Sequence, residues 1–191
     1  MTIDGKARSI LVRPSTEADV PAMLEIYMHH IQRGLDETEL EPLHLDDLKR
    51  RRKNMKNGKL PHLVAELNGR VAGYCYAVPF RKRPAYRYTL KHSIYVDKDC
   101  LHAGVGRALM PALIQACEAL GYRQLIAYID ASNQPSMQLH LAFGFQQAGY
   151  LHAVGFKFGR WIDSVVMQRG LGQGDALPPD APMSRERAKL S

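Results

Sequence analysis

Residues 93–108 read SIYVDKDCLHAGVGRA and join a predicted strand to a predicted helix through a glycine-containing loop. The strand ends near Val96, and the helix begins near Val105 with Gly104 and Gly106 on either side. The first N–H groups of a helix have no partner within it and lie at the positive end of its dipole. Because glycine leaves room for a phosphate there, the stretch predicts a pyrophosphate site. Glycines that only tighten a turn would produce the same pattern.

Two familiar phosphate loops are excluded by the spacing. Gly104 is not followed by Gly-Lys five residues later, so this is not a P-loop. Leu109 occupies the position of the third glycine in the dinucleotide-binding pattern G-x-G-x-x-G. A phosphate bound here would therefore belong to a different kind of site.

Working outward, the hydrophobic spacing predicts alternating strands and helices. Helices are predicted from about 20 to 31, 45 to 57, 105 to 120 and 134 to 142, and strands over 10–14, 62–67, 70–78, 88–96, 125–129, 145–151 and 164–168. This order predicts a mixed α/β fold in a single domain, residues 1–169. The Gly- and Pro-rich residues 170–191 are predicted to form a flexible tail.

The composition is that of an ordinary globular protein. Of 191 residues, 46% are hydrophobic and 24% are charged, which excludes a disordered or collagenous chain. No apolar run approaches the roughly 20 residues of a membrane span. Because no such run is present, we expect no membrane partner. Cys75, Cys100 and Cys117 are scattered and odd in number, so we expect reduced thiols and a cytoplasmic location.

The net charge of +7 is concentrated in two short runs. Residues 49–59 carry seven basic side chains and no acid, and residues 81–91 carry five and no acid. A basic run can bind nucleic acid, but it more commonly forms a solvated helix face. We therefore expect no nucleic-acid partner.

Four stretches resemble the GCN5-related N-acetyltransferase (GNAT) superfamily, in its phosphinothricin and methionine sulfoximine N-acetyltransferase branch. These are Gly73-Tyr74 with Phe80-Arg81, then residues 88–96, 133–145 and 154–163, and the resemblance covers about residues 8–169. It implies a central twisted, mostly antiparallel sheet flanked by helices. Acetyl-CoA would bind where the strand at 88–96 splays from the strand at 125–129. Relatives are commonly homodimers, which makes a homodimer the expectation.

The resemblance also assigns residues to acetyl-CoA. Backbone groups of Ile94, Tyr95 and Val96 would hold the thioester carbonyl and the pantetheine arm. Leu101, His102, Ala103, Gly104, Val105 and Gly106 would wrap the pyrophosphate. Asn133 would bond the pantetheine amides, with Ser136 beside it. Leu101 departs from the usual Gln or Arg, which should weaken phosphate binding without abolishing it, because backbone groups do most of that work.

The catalytic assignments include one serious departure from the branch. His140 lies where relatives place a residue that protonates the departing thiolate. Lys91 occupies a position that is normally the glutamate proposed as general base. Lysine could serve only if its pKa were lowered, and it could instead bind an acidic group of the substrate. His92 is the other candidate base, although strand alternation places it on the opposite face from Lys91.

The remaining assignments concern the acceptor. Phe80, Arg81, Arg83, Tyr86 and Lys157 are predicted to bind it, and Lys157, Arg160 and Trp161 could equally belong to a dimer contact or an ordinary turn. The basic segment 81–91 favours an acceptor with an acidic group. The histidines and cysteines lack metal-ligand spacing, so no metal is expected.

Together these features predict an acetyl-CoA-dependent N-acetyltransferase. The acceptor would be the α-amine of a small amino acid or analogue, attacking the thioester directly. Three alternatives remain: another amine acceptor (a polyamine, an aminoglycoside or a protein), a catalytically impaired acetyl-CoA-binding module, and a nucleic-acid binder using residues 49–59.

Overall fold

The computed structural model describes residues 9–32 and 43–179, which contain seven strands in one sheet and four α-helices. The strands are β1 (Ile10–Pro14), β2 (His62–Leu67), β3 (Arg70–Pro79), β4 (Thr89–Val96), β5 (Gln124–Asp130), β6 (Gln146–Lys157) and β7 (Arg160–Gly170). The helices are α1 (Val20–Gln32), α2 (Leu45–Asn57), α3 (Val105–Ala119) and α4 (Gln134–Ala142). The mixed α/β fold class is confirmed.

The sheet is antiparallel at every pairing except one, in the order β1-β2-β3-β4-β5-β7-β6. The exception is the parallel pair β4–β5, in which only Thr89, Leu90 and Lys91 are paired, with Gln124, Leu125 and Ile126. Both strands continue beyond these residues, β4 to Val96 and β5 to Asp130. The sheet therefore splays between β4 and β5, as predicted.

Side-chain alternation gives the sheet two packed faces. Leu90 and Ile94 of β4 and Leu125 of β5 belong to the core under α3. Tyr95 of β4 belongs to a second core with α1 and α2, where Tyr27 contacts it edge-on at a centroid distance of 5.5 Å. Even-numbered residues of β4 thus face α3, and odd-numbered residues face α1 and α2.

The C-terminal hairpin is longer than the sequence predicted. β6 extends to Lys157 rather than 151, and β7 begins at Arg160 rather than 164. Gly155 pairs with Ile162 across the hairpin, and Gly159 forms its turn with φ +75°. The extension builds a two-stranded arm at the edge of the sheet.

The predicted tail, 170–191, lies only partly within the described residues. Gly170 is still in β7, Leu171 is fully buried in the α3 core, and the Gly172 N–H donates to Glu118 Oε1 at 3.2 Å. The fold thus includes the first of these residues, while 180–191 lie outside the described part. No helix in the described ranges is long and apolar enough to cross a membrane.

Candidate active site

A cavity of about 1080 Å³ opens in the splay between β4 and β5. The N-terminal end of α3 and helix α4 border it on one side, and residues of α1 and α2 border it on the other. The predicted site residues that line it are Phe80, Arg81, Lys91, His92, Ile94, Tyr95, Val96, Leu101, His102, Gly104, Val105, Gly106, Asn133, Ser136 and His140. The structure thus brings most of the residues assigned from the sequence to one space.

The N-terminus of α3 supplies unpaired N–H groups to this cavity. Ala108 N–H donates to the Gly104 carbonyl at 2.9 Å as the first bond of the helix, so the N–H groups of Val105, Gly106 and Arg107 have no intrahelical acceptor. A Cβ at Gly106 would lie 3.0 Å from Leu139 Cδ2, so α4 packs against α3 here closely enough to favour glycine. Donors converging at a positive helix end fit the pyrophosphate of acetyl-CoA.

Asn133 begins α4 and lines the same cavity. Its Oδ1 accepts a hydrogen bond from the Ser136 N–H at 3.2 Å and caps the helix. The side-chain nitrogen is therefore the atom that can reach a pantetheine carbonyl. The amide donates there, and its orientation is fixed by the cap.

His140 and His92 form a buried pair. The His140 Nδ1 lies 2.7 Å from the Ser136 carbonyl oxygen, which can only accept, so Nδ1 carries a proton. In the neutral ring Nε2 is then an acceptor, and His92 Nε2–H donates to it at 3.3 Å. The other nitrogen of His92, Nδ1, is buried with no hydrogen-bond partner among the described residues.

Burial sets the charge of both rings. Burial lowers the pKa of His140, and burial together with the neighbouring His140 lowers the pKa of His92 well below its usual value. Both rings are therefore neutral at pH 7. In this state His140 has no free proton to give to a thiolate, because its single proton is bonded to Ser136. The neutral pair can accept a proton, through the unprotonated Nδ1 of His92.

Lys91 and His92 lie on opposite faces of β4, as alternation predicts. His92 packs against Phe145 at a centroid distance of 5.3 Å on the α4 side, whereas half-buried Lys91 shares the face of Tyr95. Both nevertheless border the cavity, because the splay opens the sheet to both faces.

Four of the predicted residues do not line the cavity. Ala103 faces away in the loop before α3, while Arg83 and Tyr86 lie in or beside the short exposed turn Pro84–Tyr86. Tyr86 instead supports Arg81, whose guanidinium lies 5.6 Å from the tyrosine ring centroid. Lys157 lies at the far end of β6, where it is buried and its Nζ has no partner among the described residues.

Several lining residues were not assigned from the sequence: His30, Arg51, Met55, Tyr128, Asp130 and Arg107. His30 donates through Nε2 to the Val96 carbonyl at 2.9 Å. Arg51 and Met55 are four residues apart in α2, and this i, i+4 spacing was the available signal that one side of the basic helix faces inward. Within residues 9–32 and 43–179, no group of three ligating side chains could hold a metal ion.

The comparisons agree with this geometry. Residues 12–166 match the family described as the acetyltransferase (GNAT) domain. The chain is 46% identical to a phosphinothricin N-acetyltransferase of Alcaligenes faecalis, covering 88% of this chain and 86% of that protein. It is 39% identical to an L-methionine sulfoximine/L-methionine sulfone acetyltransferase of Salmonella typhimurium, over 63% of this chain and 70% of that one.

A solved structure gives the same result at the level of the fold. The phosphinothricin acetyltransferase of Sinorhizobium meliloti in complex with AcCoA superposes with a TM-score of 0.87 at 36% identity, covering 93% of this chain and 96% of that chain. The fold is thus shared with a protein that holds acetyl-CoA. The chain belongs to the GNAT acetyltransferase family.

Proposed function

We propose that this protein transfers the acetyl group of acetyl-CoA to the α-amine of a small amino acid or analogue of the phosphinothricin or methionine sulfoximine kind. The observation that carries the proposal is a single cavity that joins the anion-binding end of α3 to the side chains of Arg81 and Lys91. The names of the relatives support the same acceptor class.

In this proposal the cofactor is held mainly by backbone groups. The N–H groups of Leu101 to Gly106 and the start of α3 bind the pyrophosphate, and Ile94 to Val96 bind the thioester carbonyl and pantetheine. Asn133 donates to the pantetheine, with Ser136 beside it in the first turn of α4. Acetyl-CoA supplies an activated acetyl group, and backbone N–H groups stabilise the oxyanion that forms on amine attack.

The proton leaves through the histidine pair. An ammonium has no free lone pair, so it must lose a proton before it attacks. His92 and His140 are neutral and can take it directly or through a water, and the Ser136 carbonyl stabilises the charged form of His140. That proton is then available to the departing thiolate, and the second proton, which the nitrogen loses once the new C–N bond has formed, passes to water. His140 therefore acts as an acceptor first and a donor afterwards.

Lys91 binds the acidic group of the acceptor in this scheme, together with Arg81. It is the cavity-facing cation on β4 itself, and it lies at the point where the β4–β5 pairing ends. Arg83, Tyr86 and Lys157 lie outside the cavity, and of these Tyr86 contributes by holding Arg81.

Lys91→Met is expected to raise the KM for phosphinothricin about 10-fold and leave the KM for acetyl-CoA unchanged, because it removes one charge-assisted contact. Lys91→Glu should raise the KM for phosphinothricin further, because the new carboxylate repels the acidic group of the acceptor. The measurement is steady-state acetyl transfer over a panel of amino acids, polyamines and aminoglycosides. Lys82→Met, exposed and outside the cavity, is the matched control. Unchanged kinetics in Lys91→Met would show a solvated lysine, and cofactor binding without turnover of any amine would contradict the enzymatic function.

We infer a homodimer from the surface of the β6–β7 hairpin, in agreement with the expectation from the family. Large apolar side chains are exposed there, with Phe156 53% and Trp161 65% accessible and their ring centroids 5.2 Å apart. β6 is the last strand of the sheet, and exposed apolar edge strands are normally covered.

Trp161→Glu is expected to convert the dimer to a monomer, since a carboxylate cannot be buried there without a partner. Analytical ultracentrifugation at several protein concentrations provides the measurement. Leu11→Glu is the control, because Leu11 is 55% exposed on β1, the opposite edge of the sheet. A parent chain that sediments as a monomer at all concentrations would contradict the interface.

We also propose a cytoplasmic location without a nucleic-acid or membrane partner. Cys75, Cys100 and Cys117 are all buried and unpaired, which suits a reducing compartment. Three arginines of the basic run of α2 are engaged within this chain. Arg52 donates to the Ser15 carbonyl at 2.6 Å, Arg50 pairs with Asp47, and Arg51 borders the cavity. These contacts leave less of the run available to phosphate than its sequence suggests.

A further inference from the structure

Asp130, the last residue of β5, carries a carboxylate that the fold leaves half unsatisfied. Its side chain is 4% exposed. Oδ1 accepts from the Ser132 N–H at 2.8 Å and from the Ser132 hydroxyl at 2.6 Å, which closes the turn after the strand. Oδ2 is buried and has no hydrogen-bond partner among the described residues. A buried carboxylate oxygen without a donor costs stability, so a donor is expected from outside the chain.

The charges around the cavity indicate what that donor is. Asp130 is the one acidic side chain among the described residues that line it, whereas Arg51, Arg81, Lys91 and Arg107 line it as cations. Acetyl-CoA carries only negative charge, so it fits the cations and the N-terminus of α3 but cannot supply a donor of positive charge to Asp130. Asp130 is therefore complementary to the second ligand, the acceptor, if that ligand carries a positive group as well as an acidic one.

The sheet places the acidic Asp130 and the basic Lys91 on the same face. Lys91 pairs with Ile126, and alternation then puts Ile126, Tyr128 and Asp130 on the same face as Lys91 and Tyr95. Asp130 is four residues beyond the Lys91 partner, about 13 Å of backbone at the strand rise. The lysine side chain spans part of this separation, and no ion pair joins the two residues within the described ranges. The remaining gap suits a small zwitterion.

We propose that Asp130 binds the ammonium group of the amino-acid acceptor and so orients its amine, while the acidic end lies towards Lys91 and Arg81. This inference rests on the proposed function and adds the group that selects the cationic end of the substrate. Asp130 also borders a smaller cavity of about 420 Å³ beside the hairpin, which Arg160 lines. Among the described residues that line the cation-rich active-site cavity there is no other counter-charge for an ammonium, and this favours the first placement.

Asp130→Asn is the variant that separates charge from structure. Asparagine keeps an oxygen for the Ser132 N–H and hydroxyl, and it replaces the unsatisfied Oδ2 by an uncharged nitrogen. The expected result is a rise of about 10- to 100-fold in the Kd and KM for phosphinothricin, from the loss of one charge-assisted contact. The KM for acetyl-CoA should not change, and the melting temperature should stay level or rise because an unpaired buried charge has been removed.

The matched control is Ser132→Ala, which removes the hydroxyl bond to Oδ1 and leaves the charge. It should lower the melting temperature with little effect on the amine KM. Binding is read by titrating phosphinothricin into the CoA-saturated protein, and turnover is measured separately. If the parent acetylates amino acids and Asp130→Asn has the parental amine KM, the role of Asp130 is overturned alone. If Asp130→Asn instead raises the KM for acetyl-CoA, Oδ2 contacts the cofactor and the proposed role in binding the acceptor is overturned. A parent that neither binds nor acetylates these amines overturns both proposals.

Discussion

Gly106→Val is expected to weaken acetyl-CoA binding about 100-fold or more, with the fold retained. The added Cβ would lie 3.0 Å from Leu139 Cδ2, and the two further methyl groups must enter either α4 or the space in front of the Gly106 N–H. That space is where the unpaired donors at the start of α3 converge. A side chain there excludes the phosphate from three N–H groups together, rather than removing one contact.

The measurement is calorimetric titration of CoA into the parent and the variant. Valine has a higher helix propensity than glycine by a few tenths of a kcal/mol, so helix stability does not predict the loss. Gln115→Val introduces the same residue on the exposed side of α3 and controls for general effects of valine in that helix. Parental CoA affinity in a folded Gly106→Val protein would place the pyrophosphate elsewhere.

His140→Ala is expected to lower kcat about 100- to 10,000-fold, the usual contribution of a positioned proton acceptor. The Ser136 carbonyl would lose its donor and His92 its acceptor, so the pair would no longer share a proton. His92→Ala should have a comparable effect. Because the two rings act as a unit, the double variant should be little slower than either single variant.

The pH profile adds a readout that packing alone would not change. Both pKa values are lowered by burial, so the pair remains neutral and able to accept as the pH falls through 6.5, the ordinary histidine value. In the parent, kcat should therefore decline only below pH 6.5, and this decline should disappear in the double variant. Met137→Ala, which truncates a core-facing residue of α4 outside the cavity, controls for lost packing. The shared proton role of the two histidines would be contradicted if their losses in kcat were additive, or if kcat of the double variant still declined below pH 6.5.

Most of the residues that were assigned from the sequence and that line the cavity lie in a few continuous stretches of chain. The end of β4 and the loop to α3 were predicted from strand alternation and glycine spacing, which are local signals, and the residues at the start of α4 were assigned through the family resemblance. The opposite faces of Lys91 and His92 were predicted by alternation for the same reason. The order of elements also gave the fold class, while the β6–β7 arm was underestimated because its glycines interrupt the strand pattern.

The rest of the site depends on packing between distant elements. His30, Arg51 and Met55 reach the cavity only because α1 and α2 lie across the odd-numbered face of β4, and no local pattern states which face a helix covers. The hydrogen bond between His92 and His140 joins residues 48 positions apart. Asp130 was missed because a carboxylate after a strand usually caps a turn, and one of its two oxygens does so.

The short pairing of β4 with β5, over only three residues of each strand, also has a consequence for how this protein can diversify. Where strands normally bond to each other, the parted edges leave main-chain groups that we propose hold the cofactor, and every residue type carries those groups. Capture of the acetyl donor is thereby uncoupled from side-chain identity along β4. A charge reversal such as lysine for glutamate at position 91 can then alter which amine is chosen without disturbing the common donor. The break in the sheet gives the chain freedom to acquire new acceptors one substitution at a time.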